Sequence, residues 1–222
     1  MQWVRFGRIM RTVLCHYHEF AMIELALQDF NDNARSANED SFSVMETTGI
    51  WLDKAVIGLN LCPFAKAVQV KRQIRYAVSD ARDSDTLAED LVAELTCLAG
   101  ANPASLDTTL LIHPQVLNDF SEYNDFLATA DAIVDALGWS GEIQIASFHP
   151  QYRFEDSGPD DIENYTNRSP YPMLHLLREA SVGKAVAAFP EASEIYLRNM
   201  ETLRRLGLPG WQALFTTPSS HE

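Results

Sequence analysis

Thr108-Thr109-Leu110-Leu111-Ile112-His113-Pro114 and Ile143-Gln144-Ile145-Ala146-Ser147-Phe148-His149-Pro150 are short apolar runs, each closed by His-Pro. Runs of this length rich in Ile, Thr and Leu read as strands. Proline has no amide hydrogen to give to a ladder, so it closes them. Between the two runs Phe120, Tyr123, Leu127, Ala130, Val134 and Leu137 recur at three- and four-residue spacing, with Asp119, Asp125, Asp131 and Asp135 on the wet side. That is the period of an amphipathic helix. Asn118 or a neighbour opens it, and Gly138 stands where a left-handed C-terminal cap belongs. Strand, helix and strand form a β-α-β unit with a right-handed crossover.

Further toward the N-terminus, Leu87, Leu91, Leu95 and Leu98 mark another helix, capped by Asp83 or Ser84, with Cys97 flanking its stripe. Residues 68–79 are rich in Val, Ile and Tyr and read as a strand. Ser43-Val44-Met45-Glu46 fits the S-x-x-E capping box. A helix should follow to about Leu59, burying Trp51, Leu52, Ala55 and Leu59. Toward the C-terminus, residues 150–171 have neither period, yet carry Tyr152, Phe154, Tyr165 and Tyr171. Long unpatterned stretches inside a domain are usually functional or disordered, and the aromatics argue against disorder. Pro172 suits the first turn of a helix running toward Ala188. A last helix, from about residue 191 to 206, should end at Gly207.

The expected fold is α/β: a small, mainly parallel sheet of three to four strands with flanking helices. A ferredoxin-like α+β arrangement is the alternative. One domain should span residues 43–208, preceded by a poorly structured extension (residues 1–42) and followed by a tail (residues 209–222). Within the extension, residues 3–12 carry Arg5, Arg8 and Arg11 and no acid, and lack the long apolar stretch of a secretory signal.

A formal charge of -14 and 46% hydrophobic residues describe an acidic globular chain. Such a surface repels phosphate backbones, so no nucleic-acid partner is expected. Lys66, Lys71, Arg72 and Arg75 are the clearest basic cluster, and read as a solvated edge strand. No apolar run approaches a membrane span. Three dispersed cysteines, Cys15, Cys62 and Cys97, without a CxxC pair fit a cytoplasmic location. No Gly-rich phosphate loop, GxSxG or HExxH occurs. The cofactor and the oligomeric state are left open.

Ligands of parallel α/β sheets sit beyond the carboxyl ends of the strands. The ends here are Asp80, His113 and His149, which could share a rim to hold a metal or pass a proton, or serve only as hydrogen-bonded turn residues. Candidate catalytic residues are His149 as general acid or base, Cys62 as a nucleophile and His175 on the helix after Pro172. Candidate substrate-binding residues are Tyr152, Asn164, Asn167, Arg168, Ser169 and Arg178. Asn164 to Pro172 is densely polar, and a helix starting at Pro172 would add free N–H groups and its dipole to the Arg168 guanidinium. The competing reading is ordinary capping and loop pairing.

Three blocks, Leu59-Asn60-Leu61-Cys62-Pro63-Phe64, Ser147 through Phe154, and Asn164 through Glu179, together resemble the bacterial proteins catalogued as domain of unknown function 1415. The likeness covers about residues 45–208. It implies a compact α/β domain and supplies no activity and no catalytic residues. The functional expectation is therefore an enzyme acting on a small anionic substrate by hydrolysis or group transfer, with residues 151–165 as a lid. A non-catalytic metabolite-binding module and a protein-interaction module are the alternatives.

Overall fold

The computed structural model describes residues 33–188 and 194–216; the expectations for residues 1–32 and 217–222 lie outside them. Helix α1 (Asn33–Trp51) runs directly into a π-helical segment, Leu52–Ile57. Ser43 therefore lies inside α1, and the helix opens no later than Asn33, a correction to the capping-box start. The S-x-x-E pattern tolerates an interior turn as well as a first one, because its Ser and Glu need not turn back to the backbone. Packing does change near that point: Phe42 is 64% exposed, and Val44 is buried.

Helix α2 (Ala65–Val70) and strand β1 (Ile74–Val78) occupy the stretch expected to be one strand. Ala65-Lys66-Ala67 favours helix by intrinsic propensity. Arg72, with φ 57°, turns the chain between the two elements. Helix α3 (Ser84–Gly100) starts where expected, with the Asp83 carboxylate accepting from the Thr86 N–H. Its Leu87, Leu91, Leu95 and Leu98 are fully buried. Strand β2 (Thr108–Ile112) is buried throughout. Helix α4 (Phe120–Ala136) is capped by Asp119, and Gly138 takes the left-handed conformation after it, φ 77°. Strand β3 (Ile143–Phe148) follows.

The largest correction concerns Met173–Arg178. This segment is strand β4, not a helix, and helix α5 begins only at Glu179 (Glu179–Ala188). Met-Leu-His-Leu-Leu has no clear period, and a short apolar run cannot be assigned from periodicity alone. Its neighbours decide: β4 lies between β2 and β3, antiparallel to both, with Leu110 opposite His175 and His175 opposite Ala146. Both edges of β4 thus find ladder partners. Pro172 fits before the strand, and its carbonyl accepts from the His113 N–H at 3.0 Å.

The sheet has four strands in the order β1-β2-β4-β3, with only β1 and β2 parallel. It is mixed, not mainly parallel. Its element order β-α-β-α-β-β also differs from the β-α-β-β-α-β of a ferredoxin-like fold. Helices α3 and α4 cover one face, packing on Leu111, Ile143, Leu174 and Leu176. On the other face Leu110, Ile112 and Met173 meet Trp51, Ala55 and Val56, together with Leu203 and Trp211 of helix α6 (Ile195–Ala213). Gly207 (φ 64°) kinks α6 where the sequence suggests its end, but helical turns resume to Ala213. Trp211, from the segment expected to be a tail, is buried against Tyr165, ring centroids 5.0 Å apart.

Candidate functional site

The two His-Pro sequences do meet at one rim, beyond the carboxyl ends of β2 and β3. His113 is fully buried, and its Nδ1–H donates to the Val116 carbonyl at 3.0 Å. His149 is also fully buried. Its Nδ1 accepts from the Gln151 N–H at 3.0 Å, so its proton sits on Nε2 and donates to the Leu117 carbonyl at 3.1 Å. The pair therefore grips successive carbonyls of the 114–117 turn, in which Leu117 is held at φ 56°. Such a backbone angle is uncommon for a branched residue and persists only where its surroundings enforce it. Burial pulls the pKa of His149 below its ordinary value and that of His113 down to about 4, so both rings are neutral near pH 7.

Tyr123 lies beneath them, stacked on His113 at 5.8 Å and 5.0 Å from the His149 ring. Its hydroxyl donates to the Met173 carbonyl at 2.8 Å and accepts from the Phe148 N–H at 3.0 Å. Phe120 covers His149 and touches Tyr152, at 5.4 and 5.3 Å.

The unpatterned stretch is knitted by its own polar side chains around a short 3-10 turn, Ile162–Thr166. Buried Asn164 is its hub: Oδ1 accepts from the Phe154 N–H and the Ser157 hydroxyl, and Nδ2 donates to the Gly158 carbonyl. Asn167 Nδ2 donates to the Ser147 carbonyl at 3.1 Å, and Ser169 Oγ to the Tyr171 carbonyl at 2.6 Å. Arg168 donates to the carbonyls of Tyr152 (3.2 Å) and Pro159 (2.6 Å), and lies over the Tyr165 ring at 4.5 Å. The Trp51 indole N–H donates to the Arg168 carbonyl at 3.0 Å, fastening the segment to α1.

Because Asn164 satisfies three groups of residues 154–158, Asn164→Ala should free that stretch. Losing these contacts costs roughly 1–3 kcal/mol. Limited proteolysis should show faster cleavage within residues 150–160 than in the wild type. Equal cleavage would mean that something else holds the segment.

Between this segment and the start of α4 lies a cleft of about 900 Å³, lined among others by Phe120, Asn124, Arg153, Phe154, Asp160 and Arg168. Its aromatic wall continues beneath the surface, since Tyr152 packs on both Phe120 and Phe154. Arg153 is exposed and has no hydrogen-bond partner among the described residues. Sequence reasoning missed Arg153 and the first turn of α4 as cleft residues. The signal lay in Arg153 following Tyr152 within an aromatic loop.

The remaining candidates lie elsewhere. His175 projects from the opposite face of the sheet, next to Phe148 (ring centroids 6.0 Å apart). Its Nε2 donates to the Thr108 hydroxyl at 2.7 Å, because that hydroxyl is itself donating to the Leu176 carbonyl at 2.6 Å. Burial lowers its pKa to about 4. Arg178 is at the far end of β4 and donates to the carbonyls of Leu98 and Ala101, capping the C-terminus of α3. With about 3.3 Å per residue of strand, the whole length of β4 separates it from Arg168. Both His175 and Arg178 were expected to stand on a helix with Arg168, and a strand that alternates faces and extends away rules out that grouping. With β4 in its place, the helix start expected at Pro172 does not exist. Cys62 lies in the turn after the π segment and does not line the cleft. No group of three or more His, Cys, Asp or Glu is placed to hold a metal among the described residues. Within them, no helix is long and apolar enough to cross a membrane.

A family model described as a protein of unknown function (DUF1415) matches residues 43–213 of the chain. No curated protein and no solved structure matches it.

Proposed function

We propose that this chain, which belongs to the DUF1415 family, is a binding module for a small anionic metabolite with an aromatic or similarly flat apolar part. The observation that carries the reading is the pairing of Phe120 and Phe154 with Arg153 and Arg168 in one open cleft of about 900 Å³. The lining is more polar than that of a usual small-molecule site, with Phe120 and Phe154 as its aromatic part and Ser121, Asn124 and Gln151 beside the arginines. In a chain of formal charge -14, Arg153 and Arg168 offset the two carboxylates of the lining, so an anion meets a locally neutral surface there rather than an acidic one. Glu155 and Asp160 line the same cleft, so a second polar group on the ligand is expected to be neutral or cationic.

Binding is favoured over hydrolysis or group transfer by the hydrogen bonds of the candidate acids and bases. General acid–base work needs a proton or a lone pair facing the substrate. Both nitrogens of His149 are engaged by the backbone. His175 is on the other side of the sheet, and Cys62 does not line the cleft.

Arg168 holds the loop together, so Arg153 is the informative position to change. Phenyl phosphate and phenylalanine serve as probes: each offers a ring and an anionic group, and phenylalanine adds a cation. At least one should raise the melting temperature saturably, by the linkage of binding to folding. Arg153→Gln should weaken that binding about tenfold, since a charge-assisted hydrogen bond contributes roughly 1.5–3 kcal/mol. Equal titrations of the wild type and Arg153→Gln, or no saturable response to either probe, would remove the cleft as the binding site.

A further inference from the structure

We infer that the ligand of the cleft is a zwitterion, a free aromatic α-amino acid held by its ring, its carboxylate and its ammonium together. The inference rests on the cleft reading above and narrows it, from an anion whose second polar group is open to one that carries an ammonium beside its carboxylate.

The lining carries both signs of charge, Arg153 and Arg168 with Glu155 and Asp160. These groups do not neutralise one another by pairing. Arg168 turns its donors to the Tyr152 and Pro159 carbonyls. Arg153, Glu155 and Asp160 are exposed and make no hydrogen bond or ion pair through their side chains among the described residues. Neighbouring acids of the same segment do have partners: Asp161 accepts from the Gly158 N–H at 2.7 Å, and Glu163 pairs with Arg204 at 2.5 Å. That contrast sets Arg153, Glu155 and Asp160 apart as charges of both signs available to a ligand.

Their order along the chain suits two charges borne by one carbon. Arg153, Phe154 and Glu155 are consecutive, and all three line the cleft. An opposite charge therefore stands on either side of one aromatic residue. Residues two apart lie within ~7 Å of each other at full extension, and the long Arg and Glu side chains can close on a smaller spacing. Beneath them Tyr152 makes ring contacts with both Phe120 and Phe154, a geometry that a ligand ring would extend. Electrostatics then sorts the ligands. A simple anion is attracted by Arg153 and repelled by Glu155 and Asp160, and a simple cation meets the converse. A zwitterion lying with its carboxylate toward Arg153 and its ammonium toward the acids meets attraction at both ends. Like-charge juxtaposition against the wrong partner is a common source of specificity.

Calorimetric titration of the full chain with phenylalanine, hydrocinnamate and phenethylamine tests this. The three share a ring; hydrocinnamate lacks the ammonium, and phenethylamine lacks the carboxylate. Phenylalanine should bind saturably, and each of the others about tenfold more weakly or worse, since each loses a charge-assisted contact. Glu155→Gln combined with Asp160→Asn, both at exposed positions, should weaken phenylalanine severalfold and strengthen hydrocinnamate. The same carboxylates attract the one and repel the other, whereas a merely structural loss would weaken both. The inference is overturned if hydrocinnamate or phenethylamine matches phenylalanine, or if the double variant leaves both titrations unchanged or weakens both alike. It is equally overturned if phenylalanine does not bind. Phenyl phosphate then separates the two readings: saturable binding that Arg153→Gln weakens leaves the cleft reading standing, and its absence removes both.

Discussion

Between pH 6.5 and pH 4 the domain should lose stability steeply, by about 4 kcal/mol at pH 5 from two histidines alone. His113 and His175 ordinarily titrate near 6.5 and are held at about 4 by burial. The folded form favours each ring neutral, so the unfolded chain binds more protons throughout that window. Stability from these residues is therefore fully present above the unfolded value and falls as the pH drops toward the folded one. At pH 5 this amounts to roughly 2 kcal/mol for each ring. His149 acts in the same direction, through the burial that lowers its pKa, while Asp119 nearby offsets part of the effect. The check is urea denaturation at a series of pH values. The midpoint should fall from pH 6.5 to 4.5, and His175→Gln should flatten the slope by up to one proton. A flat profile, or one unchanged by that substitution, would show that these rings are not held neutral.

Tyr123→Phe should cost about 2–4 kcal/mol, a large effect for the loss of one oxygen. The ring stays in place, so packing is retained and the hydroxyl alone is tested. That hydroxyl serves Met173 of β4 and Phe148 of β3 where the two strands end, in a fully buried position. Its removal leaves a carbonyl and an N–H without their partner, each costing roughly 1–3 kcal/mol when buried. The denaturation midpoint should fall with its slope unchanged. A loss below about 0.5 kcal/mol would mean that water reaches the strand ends.

The candidate site was legible in part. The echo of His113-Pro114 and His149-Pro150 pointed to one rim, and the rim exists because both strands end on the same side of the sheet. The role of the two histidines was not legible. It depends on the carbonyls of Val116 and Leu117, presented by a turn whose φ angle no local pattern specifies. The density of polar residues at Asn164, Asn167, Arg168 and Ser169 is visible in the sequence. Their partners within residues 147–171 arise only once that segment has folded back on itself.

By itself the sequence determined those elements whose signal is local. Leu87, Leu91, Leu95 and Leu98 repeat at the helical period, Asp83 caps their helix, and Gly138 takes the left-handed conformation after α4. Propensity, capping and periodicity act within a few residues, so these features need no distant partner. Tertiary structure decided what Met173–Arg178 would be. A leucine-rich hexapeptide suits helix or strand, and hydrogen bonds from β2 on one side and β3 on the other select the strand. That choice turned a parallel sheet into a mixed one, placed His175 and Arg178 on opposite faces, and removed the helix end that Arg168 was expected to face. The physical reason is range: a strand's partners are distant in sequence, and their ladder outweighs the small differences in local propensity.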